Sequence, residues 1–212
     1  MNVDYTLYLC TNTDMIHDKA IEQCVEEAIL GGVTVVQVRE KNKSTDDFIN
    51  IARKVKAVTE KYKIPLIIND RVDIAVAVDA DGVHLGKNDM DCYTARKILG
   101  DSKIIGVTVS NSEEALQAQN DSADYVGVGA MFQSTTKPDA KIVGFDDLIK
   151  IQSSVDIPVV IIGGINQNTI PFFEGLDING YAMIRPIICS DNIIDTTAEI
   201  KRLIRANHIS KS

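Results

Sequence analysis

The chain has 212 residues, of which 45% are hydrophobic and 25% are charged, as is typical of a soluble globular protein. The net charge of −8 argues against a nucleic-acid partner, which would require a basic face. No apolar run is long enough to span a bilayer, and the N-terminal segment MNVDYTLYLC has no basic region followed by an apolar stretch, so we expect neither a membrane protein nor a signal peptide. The cysteines are scattered without a CxxC pair, which predicts reduced thiols in a cytoplasmic protein; they are Cys10, Cys24, Cys92 and Cys189.

A β-rich run followed by a segment with helical spacing recurs eight times along the chain. The strands are predicted at 5–11, 33–39, 65–69, 82–85, 104–109, 124–130, 158–162 and 180–185. Strands that alternate with helices indicate a parallel sheet with right-handed crossovers. Eight such units predict a single-domain (β/α)8 TIM barrel over residues 1–212. An open doubly wound sheet is the alternative, but the number and even spacing of the units argue against it.

The ends of two helices are marked by local signals. The glycine pair at 31–32 is typical of a helix C-terminus, and Ser44 with Asp47 resembles a capping box at the start of the second helix. The last helix is predicted from about 192 to 206, with the apolar residues of its 3.6-residue period facing inward.

Polar residues follow almost every predicted strand, at the end where barrels carry their active sites. In the stretch VTVVQVREK, strand alternation places Gln37, Arg39 and Lys41 on one face and Glu40 on the other. Taken alone, this face is as consistent with a solvated strand end as with an anion site. The acidic overall charge makes locally concentrated cations more informative.

Two aspartates follow the third and fourth strands. Asp70 lies in a common turn sequence and Asp89 could simply cap a helix, but together they offer the hard oxygen ligands that Mg²⁺ takes when it also binds substrate phosphates. His84, between two apolar residues, is expected to be structural, and no serine or cysteine pairs with it as a nucleophile.

Two later segments have the chemistry of phosphate sites. The run STTK at 134–137 supplies three hydroxyls and an ammonium group, although a polar surface loop would look the same. IPVVIIGGI ends a strand in paired glycines, and barrels often bind phosphate after their seventh and eighth strands. The residues therefore indicate a barrel with two anion sites, one of them metal-assisted, and favour transfer chemistry on small phosphorylated molecules.

Five blocks in this order resemble the motifs of thiamine phosphate synthases: QVREK, IINDRVDIAVAVDADGVHLGKNDM, IIGVTVS, ADYVGVGAMFQSTTKPDA and IPVVIIGGI. The resemblance covers about residues 33–190. It implies an enzyme that joins 4-amino-2-methyl-5-hydroxymethylpyrimidine diphosphate to 4-methyl-5-(2-hydroxyethyl)thiazole phosphate, or the carboxylated form of the latter, releasing pyrophosphate. In such a reaction the C–O bond breaks first and the thiazole nitrogen captures the pyrimidinylmethyl cation.

The resemblance also implies roles for individual residues. Asp70 and Asp89 would hold Mg²⁺ as cofactor, and Arg39, Lys41 and Lys137 would be catalytic. The pyrimidine diphosphate would be bound by Gln37, Arg39, Lys41, Asn69, Thr108 and Lys137. The thiazole phosphate would be bound by Ser134, Thr136, Gly164, Ile184 and Arg185. A homodimer is the oligomeric state that the resemblance implies.

The chain departs from the family pattern in three places. Gln133-Ser134 replaces the usual Pro-Thr and Thr108 replaces a serine, both with a hydroxyl retained, while Arg185 stands where a small residue is usual. A guanidinium at that point could strengthen phosphate binding or crowd the pocket. Two alternatives remain open: a thiazole tautomerase-type isomerase, against which the set of diphosphate and metal residues argues, and a non-catalytic ligand-binding relative.

Overall fold

A computed structural model describes residues 3–16, 18–134 and 140–209, with side chains through residue 207. Within these ranges eight parallel strands close into a barrel in chain order. The strands are β1 (Leu7–Cys10), β2 (Val35–Val38), β3 (Leu66–Asn69), β4 (Gly82–Leu85), β5 (Ile104–Val109), β6 (Tyr125–Val128), β7 (Val159–Ile162) and β8 (Gly180–Met183). The predicted TIM barrel is confirmed, and each strand lies inside its predicted range.

Helices connect the strands on the outside of the barrel. They are α1 (Ile21–Gly31), α2 (Thr45–Tyr62), α3 (Val72–Ala77), α4 (Cys92–Leu99), α5 (Ser112–Asn120), α6 (Phe145–Ser154), α7 (Arg185–Ile188) and α8 (Ile193–Ile209). Short 3-10 helices cover Thr13–Met15 and Ile170–Phe173. The second of these takes the place of an α-helix after β7, and Gly175, with φ of +80°, turns the chain soon after it ends.

The predicted helix signals act as expected. The Ser44 side chain accepts a hydrogen bond from the Asp47 N–H at 3.1 Å, and its hydroxyl donates to the Asp47 carboxylate at 2.7 Å. Gly32 ends α1 with φ of +114°, in the left-handed region. These caps fix where α1 and α2 stop and start, and thus where their neighbouring strands enter the barrel.

Side-chain alternation along the strands builds two core layers. One set of strand residues packs outward against the helices. The other set points into the barrel and forms a smaller cluster that contains Tyr8, Val35, Ile67, Tyr125 and Val160. On β2 to β5 the inward residues nearer the carboxyl ends of the strands are polar, and they line the opening of the barrel at that end, which we call the mouth; they are Gln37, Asn69, His84 and Thr108.

None of the helices in the described ranges is both long and apolar enough to cross a membrane.

Candidate active site

The face predicted from VTVVQVREK lies at the mouth of the barrel. Gln37 is inward and buried, and its amide Nε2 donates to the Tyr8 hydroxyl at 3.0 Å. Arg39 follows two residues later and is half-buried, with its backbone N–H on the Thr11 hydroxyl at 3.3 Å. Glu40 is on the other face, as predicted, and its carboxylate accepts from the N–H and hydroxyl of Thr13. Gln37 therefore faces the inside of the barrel, whereas Glu40 is directed at Thr13 on the other face.

Lys41, Asp70 and Asp89 form one cluster at the rim. The Lys41 ammonium pairs with the Asp70 carboxylate. Asp70 has φ of +63°, a left-handed conformation that aspartate tolerates in turns, directly after β3. Asp89 accepts a hydrogen bond from the Gly86 N–H at 2.7 Å. The structure thus brings together two carboxylates that are 19 residues apart in the sequence.

The electrostatics of this cluster suit a cation. Burial and the adjoining Asp70 carboxylate raise the pKa of Asp89, since two negative charges at this separation repel each other. No set of three or more His, Cys, Asp and Glu side chains gathers at a metal-binding distance in the described ranges. A donor set of two carboxylates, with the remaining positions left to substrate phosphate and water, is one that Mg²⁺ accepts.

His84 forms hydrogen bonds with Tyr125 inside the barrel and with Thr108, a predicted substrate-binding residue. Its Nε2 lies 2.9 Å from the Thr108 hydroxyl and its Nδ1 lies 2.9 Å from the Tyr125 hydroxyl. Burial lowers the pKa of His84 to about 4, so the imidazole is neutral at ordinary pH. Asn69 is buried and lies beside His84 in the β3–β4 register.

The paired glycines after β7 form the other side of the mouth. Gly163 and Gly164 have φ of +95° and +68°. A Cβ on Gly164 would lie 2.6 Å from the Phe132 Cβ, so only glycine allows this close approach to the segment that leads to Ser134. The Gly164 N–H donates no hydrogen bond to the residues that the structure describes, which leaves a backbone donor for an anion.

Ile184 and Arg185 follow β8 on the same side. Ile184 is half-buried against the inward cluster, and Arg185 begins α7 with an exposed side chain. The Arg185 guanidinium has no ion pair or hydrogen bond with any residue in the described ranges. The structure therefore places this cation at the end of β8, on the side of the barrel that carries the mouth.

Thr136 and Lys137 lie outside the described residues, so their predicted roles remain predictions. The sequence analysis did not single out Tyr8 and Tyr125, and it expected His84 to be structural; the structure adds that His84 contacts the Thr108 hydroxyl. The available signal was strand parity, because Tyr8, His84 and Tyr125 each occupy inward positions of their strands.

Comparisons with known proteins identify the family and bear on the fold. A family model described as thiamine monophosphate synthase matches residues 7–187. The chain belongs to the thiamine phosphate synthase family. The thiamine-phosphate synthase of Clostridium botulinum strain Eklund 17B is 50% identical over 199 residues, which cover 94% of this chain and 93% of that one. The thiamine-phosphate synthase of Clostridium beijerinckii is 47% identical, with 94% and 95% covered.

A solved structure extends the likeness to the backbone. Thiamine phosphate pyrophosphorylase from Pyrococcus furiosus superposes with a TM-score of 0.87 at 36% identity, covering 96% of this chain and 97% of that one. Membership of the thiamine phosphate synthase family confirms that the chain is an enzyme. It also confirms the expected reaction class, in which a pyrimidine diphosphate condenses with a thiazole phosphate.

Proposed function

We propose that this protein makes thiamine phosphate by a Mg²⁺-assisted, dissociative departure of pyrophosphate from the pyrimidine diphosphate. The observation that carries the proposal is the rim cluster of Lys41, Asp70 and Asp89, which stands beside the inward face of Gln37 and Arg39. Cations and paired carboxylates at one mouth suit a diphosphate far better than they suit a proton transfer on the thiazole alone. They therefore favour a synthase over the tautomerase-type alternative.

The chain's own residues would act on the leaving diphosphate. Arg39, Lys41 and Lys137 would bind its oxygens, and the Thr108 hydroxyl would donate to it. The C–O bond of the pyrimidinylmethyl group breaks with its electron pair on the diphosphate. The lone pair of the thiazole nitrogen then forms the C–N bond, so no protein nucleophile is needed. Binding both substrates in line reduces the entropy cost of that capture.

Asp70 and Asp89 would hold the Mg²⁺. When bound, the ion would neutralise charge on the departing diphosphate. The Lys41 ammonium offsets part of the negative charge at Asp70, and burial and the neighbouring Asp70 carboxylate raise the pKa of Asp89.

The thiazole phosphate would bind on the opposite side of the mouth. The Gly164 N–H, the backbone at Ile184 and the hydroxyls of Ser134 and Thr136 would surround its oxygens. The Arg185 guanidinium would add a charged donor that serine could not supply. This pocket holds the thiazole with its nitrogen toward the cation that forms at the pyrimidine.

The test combines purified protein, both substrates and Mg²⁺, followed by oxidation of any thiamine phosphate to fluorescent thiochrome. Product that is lost with EDTA and restored by excess Mg²⁺ is the expected result. Asp89→Ala should abolish turnover, while Asp101→Ala, at an exposed position that follows α4, should not. Turnover that survives EDTA or Asp89→Ala would remove the metal assignment.

The proposal includes the homodimer that the resemblance implies. Multi-angle light scattering on the purified chain should give the mass of two copies, and the mass of one copy across the assay concentrations would contradict it.

A further inference from the structure

An unbroken line of hydrogen bonds crosses the inside of the barrel between two residues of the site. The Gln37 amide lies 3.0 Å from the Tyr8 hydroxyl, which lies 2.8 Å from the Tyr125 hydroxyl. The Tyr125 hydroxyl lies 2.9 Å from His84 Nδ1, and His84 Nε2 lies 2.9 Å from the Thr108 hydroxyl. The line starts on β2 and ends on β5, so it joins opposite sides of the mouth.

With the Gln37 amide nitrogen turned toward Tyr8, the direction of these hydrogen bonds follows from the number of protons available. The Gln37 Nε2 donates to the Tyr8 oxygen, so the single Tyr8 proton must go elsewhere. Within the described ranges its other partner is the Tyr125 oxygen. Tyr125 in turn donates to His84 Nδ1, which leaves the hydrogen of the imidazole on Nε2, directed at the Thr108 oxygen.

The opposite direction leaves a buried donor unsatisfied. If Thr108 donated to His84 and His84 to Tyr125, Tyr125 would donate to Tyr8. The Tyr8 hydroxyl would then receive two donors and have no acceptor for its own proton. Tyr8 is buried, and a buried donor without a partner destabilises the folded protein.

The backbone around the line leaves room for its two central rings. A Cβ on Gly106 would lie 2.0 Å from the Tyr125 Cζ, and a Cβ on Gly127 would lie 2.8 Å from the His84 Cε1. The two rings stack with centroids 5.5 Å apart. Phenylalanine would fill the same volume as Tyr125, so packing alone does not require the hydroxyl that carries the line.

We propose that Tyr8, Tyr125 and His84 are positioning residues that fix the hydrogen-bond polarity of Gln37 and Thr108, that is, which of their atoms accept and which donate toward the substrate. The line leaves the Gln37 Oε1 as a free acceptor, which no described residue occupies, and leaves the Thr108 proton free to donate. An acceptor matches the exocyclic amino group of an aminopyrimidine, and a donor matches an anionic diphosphate oxygen. The match to these two groups rests on the proposed function, whereas the polarity itself does not.

Nitrogen-15 spectra of the histidine rings in the substrate-free protein test the polarity directly. The chain has three histidines, and the His84 signals are assigned by their loss in His84→Gln. The expected result is the neutral tautomer with the hydrogen on Nε2. Tyr125→Phe removes the donor to Nδ1, so the His84 tautomer population should shift. Its kcat/KM for the pyrimidine diphosphate should fall roughly tenfold, the effect of about one hydrogen bond, with the KM for the thiazole phosphate unchanged.

Tyr5→Phe is the matched control. The Tyr5 ring packs on Tyr125 with centroids 4.8 Å apart, but its hydroxyl takes no part in the line. This variant should keep both the wild-type tautomer and the wild-type kinetics. If Tyr125→Phe does not fold, Tyr8→Phe interrupts the same line one step earlier and serves in its place.

The polarity proposal is overturned if wild-type His84 carries its hydrogen on Nδ1. It is also overturned if a folded Tyr125→Phe or Tyr8→Phe variant keeps wild-type kinetics. A wild-type protein with the Nε2 tautomer and no synthase activity would overturn the proposed function instead, because the tautomer is read without turnover.

Discussion

Replacing Arg185 by serine removes an exposed guanidinium that has no partner among the described residues at the rim of the thiazole phosphate side. Because no described contact is lost, the free energy of unfolding should change by less than about 0.5 kcal/mol. Hydrogen bonds to charged groups contribute about 1.5–3 kcal/mol, and solvent at the rim reduces that to about 1–2 kcal/mol here. The KM for the thiazole phosphate should therefore rise about 5- to 30-fold.

The assay is the initial rate of thiochrome formation, with each substrate varied while the other is saturating. Arg202→Ser is the matched control, since Arg202 is also exposed but lies in the second half of α8, away from the end of β8. The KM for the pyrimidine diphosphate should stay unchanged in both variants, and added salt should narrow the difference between Arg185→Ser and wild type. An unchanged or lower KM for the thiazole phosphate would refute the reasoning, and a lower value would mean that Arg185 obstructs the pocket.

Three further predictions concern charge and packing inside the site. Burial and a neighbouring carboxylate raise the pKa of Asp89, so the protein without Mg²⁺ loses stability as the pH rises through that pKa. At neutral pH, Asp89→Asn should therefore have a higher Tm than the wild type when Mg²⁺ is absent. The same variant should show no rise in Tm when Mg²⁺ is added. Gly106→Ala drives a Cβ to 2.0 Å from the Tyr125 ring and should cost about 3 kcal/mol, roughly 6–12 °C in Tm. The His84 pKa is about 4 in the folded protein and 6.5 in the unfolded chain, so the free energy of unfolding falls as the pH drops from 6.5 to 4. Urea unfolding of the wild type should therefore give a value about 2–3 kcal/mol lower at pH 4.5 than at pH 7 from this group, and His84→Gln should not show that decrease.

Matched variants separate these effects from general damage. Asp101→Asn makes the same charge change at an exposed position and should keep the Mg²⁺ response. Gly144→Ala adds a Cβ with no neighbour closer than 3.9 Å and should cost less than about 1 kcal/mol. A Mg²⁺-induced rise in the Tm of Asp89→Asn, a Gly106→Ala variant as stable as Gly144→Ala, or equal pH dependence in wild type and His84→Gln would each contradict its prediction.

The barrel was predictable because its signals are local. Each strand is a short apolar run, the longer helices show a 3.6-residue apolar period, and caps such as Ser44 with Asp47 involve neighbours in the chain. Strand parity also predicted that Gln37 faces the inside of the barrel and that Glu40 faces away from it. Such inferences need only the geometry of one element at a time.

The sequence predicts that Asp70 and Asp89 lie at the same end of the barrel, but it does not predict that their carboxylates are neighbours. Parallel strands end at the same rim, which brings residues after β3 and β4 near each other. That the carboxylates lie close enough for Asp70 to raise the pKa of Asp89 depends on the left-handed turn at Asp70 and on the hydrogen bond that Gly86 donates to Asp89. A left-handed aspartate has no sequence signature that distinguishes it from an ordinary turn.

The line through Tyr8, Tyr125 and His84 could not be predicted from the same signals. Tyr8 and Tyr125 are 117 residues apart, on strands that do not pair, and they meet only because the closed barrel brings opposite walls together. Parity shows that a side chain points inward, but its position along the barrel axis, between the amino ends of the strands (the floor) and their carboxyl ends (the mouth), depends on the stagger between strands. At the floor His84 would be a buried group with only packing neighbours, whereas one layer higher it reaches the Thr108 hydroxyl at the mouth. The register of the strands therefore decides whether an inward residue packs inside the barrel or reaches the mouth, and that register is set by all eight strands together.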